Sequence, residues 1–316
     1  MDDLHDIVII GGGPGGITAG LYASRARMKT LLIEKSLCGG QVLVTDMIEN
    51  FPGFPEGIKG PDLADWMVKQ AVRFGLEIMI SDAVGIGLKK EEKGYFTVSL
   101  SDCRVIKALS LIIATGARWN SLGIPGEAEF RGRGVSYCAT CDGPLFRNKD
   151  IVVVGGGDTA LEDALFLTKF ARSVTIVHRR GKLRATAILQ ERARTNNKIK
   201  FQLNSTASEV IGDTAVRGVR IKDVVTGAES VLKCDGVFIF IGIIPNSGIA
   251  KDVVKTDDRG YIICDDDMNT SVEGIFACGD VRKKSLRQVV TATGEGATAA
   301  FSAEHYVECL KGTEYK

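Results

Sequence analysis

Apolar residues in this chain gather in short β-branched runs that break off at glycines, and the pattern occurs twice. Ile7-Val8-Ile9-Ile10 runs into Gly11-Gly12-Gly13-Pro14-Gly15-Gly16, and Ile151-Val152-Val153-Val154 runs into Gly155-Gly156-Gly157-Asp158-Thr159-Ala160. A short continuous apolar run bounded by a turn signal predicts a strand buried on both faces. After each glycine cluster a helix is expected, over residues 17–26 in the first copy and 160–171 in the second. A further apolar strand closes each unit, Leu31-Leu32-Ile33 and Val174-Thr175-Ile176-Val177. The copies lie 144 positions apart, counted from Gly11 to Gly155.

Both clusters fit G-x-G-x-x-G/A: Gly11, Gly13 and Gly16 in one, Gly155, Gly157 and Ala160 in the other. Set between a strand and a helix, this pattern marks a dinucleotide site. Its glycines let the backbone approach a pyrophosphate, whose charge the helix N-terminus then stabilises. The repeat continues in residues 110–117 and 236–246, two apolar strands that return the chain to its sheet after an antiparallel excursion. One nucleotide-binding domain is thus expected to interrupt another: residues 1–117 with 244–316 form the first and 118–243 the second. The fold class is α/β, two Rossmann-like domains of three-layer ββα type, the second inserted into the first. A helix rich in small residues over 291–308 belongs to the first.

The residue ending the second strand of such a unit selects the nucleotide. A carboxylate there accepts hydrogen bonds from a ribose hydroxyl, whereas arginines suit a 2′-phosphate through paired charge-assisted bonds. The first copy has Glu34; the 144-residue offset lands on His178, with Arg179, Arg180 and Arg184 following. FAD is therefore assigned to the first turn, with Pro14 opening its helix, and NADPH to the second, with Asp158 and Thr159.

Composition narrows the class further. The 316 residues are 45% hydrophobic and 25% charged, with a formal net charge of +1. These values suit an ordinary soluble enzyme and give no reason to expect nucleic acid or an anionic membrane as partner. No apolar run reaches the ~18 residues of a membrane span, and the chain enters a strand almost at once, without the basic start and apolar run of a signal peptide. A cytoplasmic protein is expected. Of eight cysteines, two form Cys138-Ala139-Thr140-Cys141-Asp142, just upstream of the second glycine turn. Thiols at this spacing close a small disulfide ring, the usual form of a redox-cycling dithiol. Asp142 adds a carboxyl group able to give or take the proton that thiolate chemistry needs. A zinc site would need further ligands, and His5, His178 and His305 are widely separated, so no metal is expected. Cys38, Cys103, Cys234, Cys264, Cys278 and Cys309 are expected to be small buried or half-buried residues, and Trp66 and Trp119 packing residues.

The ordered set of segments 11–16, 39–41, 49–53, 114–116, 138–143, 155–160, 178–184, 279–281 and 287–289 resembles the low-molecular-weight thioredoxin reductases of bacteria and archaea over essentially the whole chain. The resemblance implies that Gly40, Gln41 and Asn50 line the flavin, with Thr115, Gly116 and Gly279 in the same set. Asp280 would hold the ribityl chain, and Arg287, Gln288 and Val289 would lie near the isoalloxazine ring. It implies that Cys141 faces the flavin with Cys138 as its disulfide partner, that thioredoxin or a thioredoxin-like protein receives the electrons, and that the chain forms a homodimer. Because nicotinamide site and disulfide share one domain while flavin occupies the other, a rotation about the two chain crossings is expected to present them in turn. Departures fall at residues 282–286, Arg-Lys-Lys-Ser-Leu, and at Gly242-Ile243-Ile244-Pro245-Asn246. A glutathione-reductase-type enzyme would need a C-x4-C pair near Cys38, which is absent. The alternatives are a reductase of another thioredoxin-like protein or a flavin-dependent dithiol oxidase, whose NADPH motif would be expected to decay; a nucleotide-sensing binding protein would leave Cys138-Ala139-Thr140-Cys141-Asp142 unexplained.

Overall fold

A computed structural model describes residues 4–45, 47–89 and 94–313. The chain divides into two compact units, one spanning Met1–Arg118 and Ile244–Lys316, the other Trp119–Ile243.

In the first unit the run Ile7–Ile10 lies within the strand Leu4–Ile10, at the centre of a seven-stranded sheet. Glu77–Ile80, Thr30–Glu34, Leu4–Ile10 and Val105–Ile113 lie side by side and parallel. Tyr95–Leu100 and Ala83–Lys89 then continue antiparallel. That hairpin pairs only with the first half of Val105–Ile113; Leu111–Ile113 pair instead with Ile275–Ala277. Side-chain alternation sorts the central strand into two cores. Ile7 and Ile9 pack with Ile17, Ala299 and Ala303 of the covering helices. Val8 and Ile10 pack with Phe96, Val98 and Leu100 of the hairpin.

Helices Pro14–Arg25 and Val289–Lys311 meet backbone to backbone: a Cβ on Gly296 would overlap the Gly15 carbonyl oxygen. The buried stripe Ala292, Gly296, Ala299, Ala300 and Ala303 permits that approach. This helix is longer than expected because a Gln288–Thr291 capping box starts it early and Gly312, at φ +67°, ends it late.

The second unit repeats the plan. Val135–Ser136, Gly236–Phe240, Asp150–Gly155, Ser173–Val177 and Ile199–Gln202 form a wholly parallel sheet. Ile151 and Val153 pack with Leu161, Ala164 and Leu189 of the helices Asp158–Leu167 and Ala187–Thr195. Val152 and Val154 face a three-stranded antiparallel sheet, Ser205–Gly212, Val216–Asp223 and Glu229–Lys233, through Ala207, Val210 and Val219.

Several details differ from expectation. The apolar stretch 236–246 is not one strand: Gly242, at φ +117°, bends it, and Ile243–Pro245 pairs with Ala117–Trp119. Helix Asp158–Leu167 stops before residue 171, since Ala171 turns into the next strand. Trp66 is 55% exposed, because its helix buries the face of Leu63, Ala64 and Ala71. Cys103, at φ +68° in a turn, and Cys309 are exposed rather than buried. Among the described residues no helix is long and apolar enough to cross a membrane.

Asp163, on helix Asp158–Leu167, is pushed up to about 6 by burial and, secondarily, by Glu162. The folded chain therefore holds a proton that the unfolded chain releases at the ordinary carboxylate value, so stability falls as pH rises from about 4 to about 6. Asp163→Asn should stabilise the protein at pH 8 by up to about 2–3 kcal/mol, a gain that vanishes below about pH 4. Denaturant midpoints across that range read the effect directly.

Candidate active site

Cys138 and Cys141 are joined as a disulfide, their Cα atoms 5.3 Å apart, within the usual range for such a bond. Strand Val135–Ser136 leads into Cys138, and the single turn Ala139–Asp142 carries Cys141 and Asp142. Ser136 holds the first cysteine from both sides: its Oγ accepts from Cys138 N (3.1 Å) and donates to Cys138 O (3.3 Å). Cys138 Sγ accepts from Cys141 N at 3.2 Å and lies 3.4 Å from Thr140 Oγ1. The turn rests on the nucleotide-site helix, since a Cβ on Gly143 would lie 3.1 Å from Leu167 Cδ2 and 3.5 Å from Phe166 Cε1. Cys138, Cys141 and Asp142 are half-buried and Thr140 is exposed.

The two glycine turns share one division of labour. A Cβ on Gly16 would overlap the Gly11 carbonyl oxygen, so strand and helix touch there. In the second copy Ala160 supplies that methyl group itself, and a Cβ on Gly155 would lie 2.6 Å from it. Gly13 and Gly157 are different: a Cβ on either would meet nothing within 4 Å. Their backbones are extended, at φ −74° and −95°, so conformation does not demand glycine. The open space in front of them fits the pyrophosphate of a dinucleotide, at the N-termini of the helices that Pro14 and Asp158–Thr159 open.

Glu34 closes the first turn. Its Oε2 accepts from Gly12 N at 2.7 Å and its Oε1 from Ser36 N at 3.2 Å, leaving lone pairs for ribose hydroxyls. Gly39 N donates to Gly12 O at 2.7 Å, and a Cβ on Gly40 would lie 3.3 Å from Gly13 Cα, so these two turns form one cradle. Gln41 Nε2 donates to Ala117 O. Thr115 Oγ1 donates to Asn246 O (2.7 Å), and Asn246 N donates to Gly116 O (2.9 Å). Asn50 Nδ2 donates to Gln288 Oε1 at 2.9 Å, and the Arg287 guanidinium lies 4.3 Å from the centre of the Tyr261 ring. Val289 begins the long helix. The structure thus brings together the turns at Gly11–Gly16 and Gly40, and separately Asn50 with Gln288.

Two contributors were not legible in the motifs. Glu295 Oε2 accepts from Gly279 N at 2.8 Å, and Lys284 Nζ, 8% exposed, lies 3.2 Å from Asp280 Oδ1 and 3.3 Å from Glu295 Oε2. This buried lysine fixes the Asp280 carboxylate. Lysine and glutamate are ordinary surface types, so their pairing carries no local signal.

In the second unit, Arg184 N donates to Gly156 O at 2.7 Å and Thr186 N to Asp158 Oδ1 at 2.6 Å. These bonds tie the basic segment to its glycine turn. Arg179, Arg180 and Arg184 are exposed, whereas His178 is buried with its ring against Gly156. Burial and then Arg184 lower its pKa, so the arginines carry the charge at neutral pH. Among the described residues its Nε2 has no hydrogen-bond partner, a further sign that a ligand completes this site. Burial raises the Cys38 and Cys264 thiols to about 11 and those of Cys234 and Cys278 to about 12. Those four stay protonated and do not compete as nucleophiles.

The profile of the pyridine nucleotide-disulphide oxidoreductases matches residues 5–296. The chain belongs to that family of oxidoreductases. It is 50% identical over 313 residues to a protein of Bacillus subtilis (strain 168) named thioredoxin reductase, covering 99% of this chain and 98% of that one. A thioredoxin reductase of Treponema pallidum (strain Nichols) is 48% identical over 311 residues, covering 98% of this chain and all of its own. The crystal structure of thioredoxin reductase from Streptococcus pyogenes superposes with a TM-score of 0.93 at 45% identity, over 98% of this chain and 100% of that one.

The two kinds of glycine predict separable defects. Gly16→Ala should destabilise the apoprotein by about 1–3 kcal/mol through overpacking. Gly13→Ala and Gly157→Ala should leave its melting temperature unchanged while each weakens a dinucleotide at its own turn by about tenfold or more, since a methyl group would stand where the phosphate approaches. Thermal melts of apoprotein and cofactor titrations separate the two outcomes.

Proposed function

We propose that this chain is an NADPH-dependent thioredoxin reductase that uses FAD. The observation that carries the reading is the Cys138–Cys141 disulfide seated on the helix of an arginine-flanked dinucleotide turn, in a chain whose other turn carries Glu34. The names of relatives about half identical over nearly the full length support it. Gly13, Glu34, Asp280 and Gln288 would hold FAD, and Gly157, Arg179, Arg180 and Arg184 would hold NADPH. When bound, the two cofactors supply the hydride chemistry that delivers an electron pair to the disulfide.

The chain's own residues do the rest. Accepting the pair breaks the Cys138–Cys141 bond and leaves one thiolate and, after a proton is taken up, one thiol. Cys141 N and Thr140 Oγ1 both address Cys138 Sγ, so negative charge is stabilised on Cys138. That sulfur attacks the partner's disulfide, forming a mixed disulfide and releasing one partner thiolate. Cys141 then loses its proton and attacks Cys138 Sγ, which restores the ring and frees the second partner sulfur. Asp142, adjacent to Cys141, takes and returns the proton. One disulfide is reduced for each electron pair and two protons consumed.

NADPH-driven reduction of a thioredoxin from the same organism tests the reading, with NADH, Cys138→Ser and Cys141→Ser alongside. We expect turnover with NADPH, a KM at least about tenfold higher for NADH from the lost arginine–phosphate bonds, and none in either variant. Flavin that bleaches while thioredoxin stays oxidised would reject the partner, and flavin that NADPH cannot bleach would reject the donor.

A further inference from the structure

Immediately upstream of the disulfide lies a cluster that the chemistry above does not use, and all its members belong to the Trp119–Ile243 unit. Glu127 is 4% exposed. Four donors converge on its carboxylate: Leu122 N (2.9 Å), Gly123 N (2.7 Å), Ile124 N (3.3 Å) and the Tyr137 hydroxyl (2.6 Å). The Tyr137 ring stacks on Trp119 with centroids 5.6 Å apart and planes 23° apart. The Arg131 guanidinium lies 5.3 Å from the Tyr137 ring and 5.6 Å from the Trp119 ring.

A buried carboxylate is tolerated only when hydrogen bonds replace its water. Three backbone donors from one turn already do most of that here. The fourth bond, from Tyr137, therefore adds a tie rather than rescuing a charge. It joins a rigid turn to the residue that directly precedes Cys138. With its hydroxyl held by Glu127 and its ring between neighbours, Tyr137 leaves the Cys138 backbone little freedom.

We propose that Tyr137 is a positioning residue for the redox dithiol, its bond to Glu127 holding Cys138 in register with Cys141. The inference rests on the Cys138–Cys141 pair being the redox couple. In the reduced state such a tie keeps one thiol close to the other and raises their effective concentration, which favours the disulfide. Releasing it makes the disulfide easier to reduce. Tyr137→Phe removes the bond and keeps the ring, while Glu127 retains its three backbone donors.

The experiment equilibrates the holoenzyme in dithiothreitol redox buffers and counts free thiols by alkylation and mass. Tyr137→Phe should lower the thiol effective concentration about tenfold, a potential about 30 mV less negative than wild type. Val219→Ala, a core truncation in the antiparallel sheet of the same unit, controls for general loosening. It should lower the melting temperature and leave the potential in place. A Tyr137→Phe potential equal to wild type, or an equal shift in Val219→Ala, would overturn the proposal. If the wild type gains no more thiols on reduction than Cys138→Ser, the redox-couple reading itself falls.

Discussion

The Gly11 carbonyl oxygen leaves no room for a side chain at position 16, and much of the first unit follows from that contact. It draws the helix Pro14–Arg25 against the strand, so the helix N-terminus points past the strand end into the space before Gly13. The same helix presents Gly15 to Gly296, which draws in the long C-terminal helix. That helix brings Glu295 to the Gly279 amide, and with Lys284 sets Asp280. One backbone contact thus propagates through glycine and alanine packing to a carboxylate more than 250 positions along the chain.

The second unit meets the same constraint with a different residue. Ala160 stands at the position equivalent to Gly16, and its methyl group leaves no room for a side chain at Gly155. The close approach is preserved while the chemistry at the rim changes, from Glu34 to a buried His178 and exposed arginines. Burial favours the neutral histidine, so cationic charge at this rim rests on the exposed arginines. The disulfide sits on the helix of this unit, so the arginine-flanked turn and the dithiol share one support.

The strands at Ile7–Ile10 and Ile151–Val154, the glycine turns and the Cys138–Cys141 pair were legible because each is a local pattern with a local cause. Element ends were less so. Gly242 interrupts an apolar stretch that hydropathy alone cannot divide, and Trp66 is apolar on a helix face that burial does not reach. The partners Lys284, Glu295, Thr186 and Glu127 were not legible at all. Each is an ordinary polar residue whose role arises only when packing sets it beside a group elsewhere in the fold, where burial turns a weak surface interaction into a positional restraint.

Anaerobic reduction of the FAD-loaded protein by NADPH, followed at the flavin absorbance band, tests the central claim most directly. Two dinucleotide turns and one dithiol on a single chain predict that the protein takes up two electron pairs, one in the flavin and one in the disulfide, and that Cys138→Ser takes up one. Equal uptake by wild type and variant would show that the disulfide lies outside the electron path, and the account would be wrong.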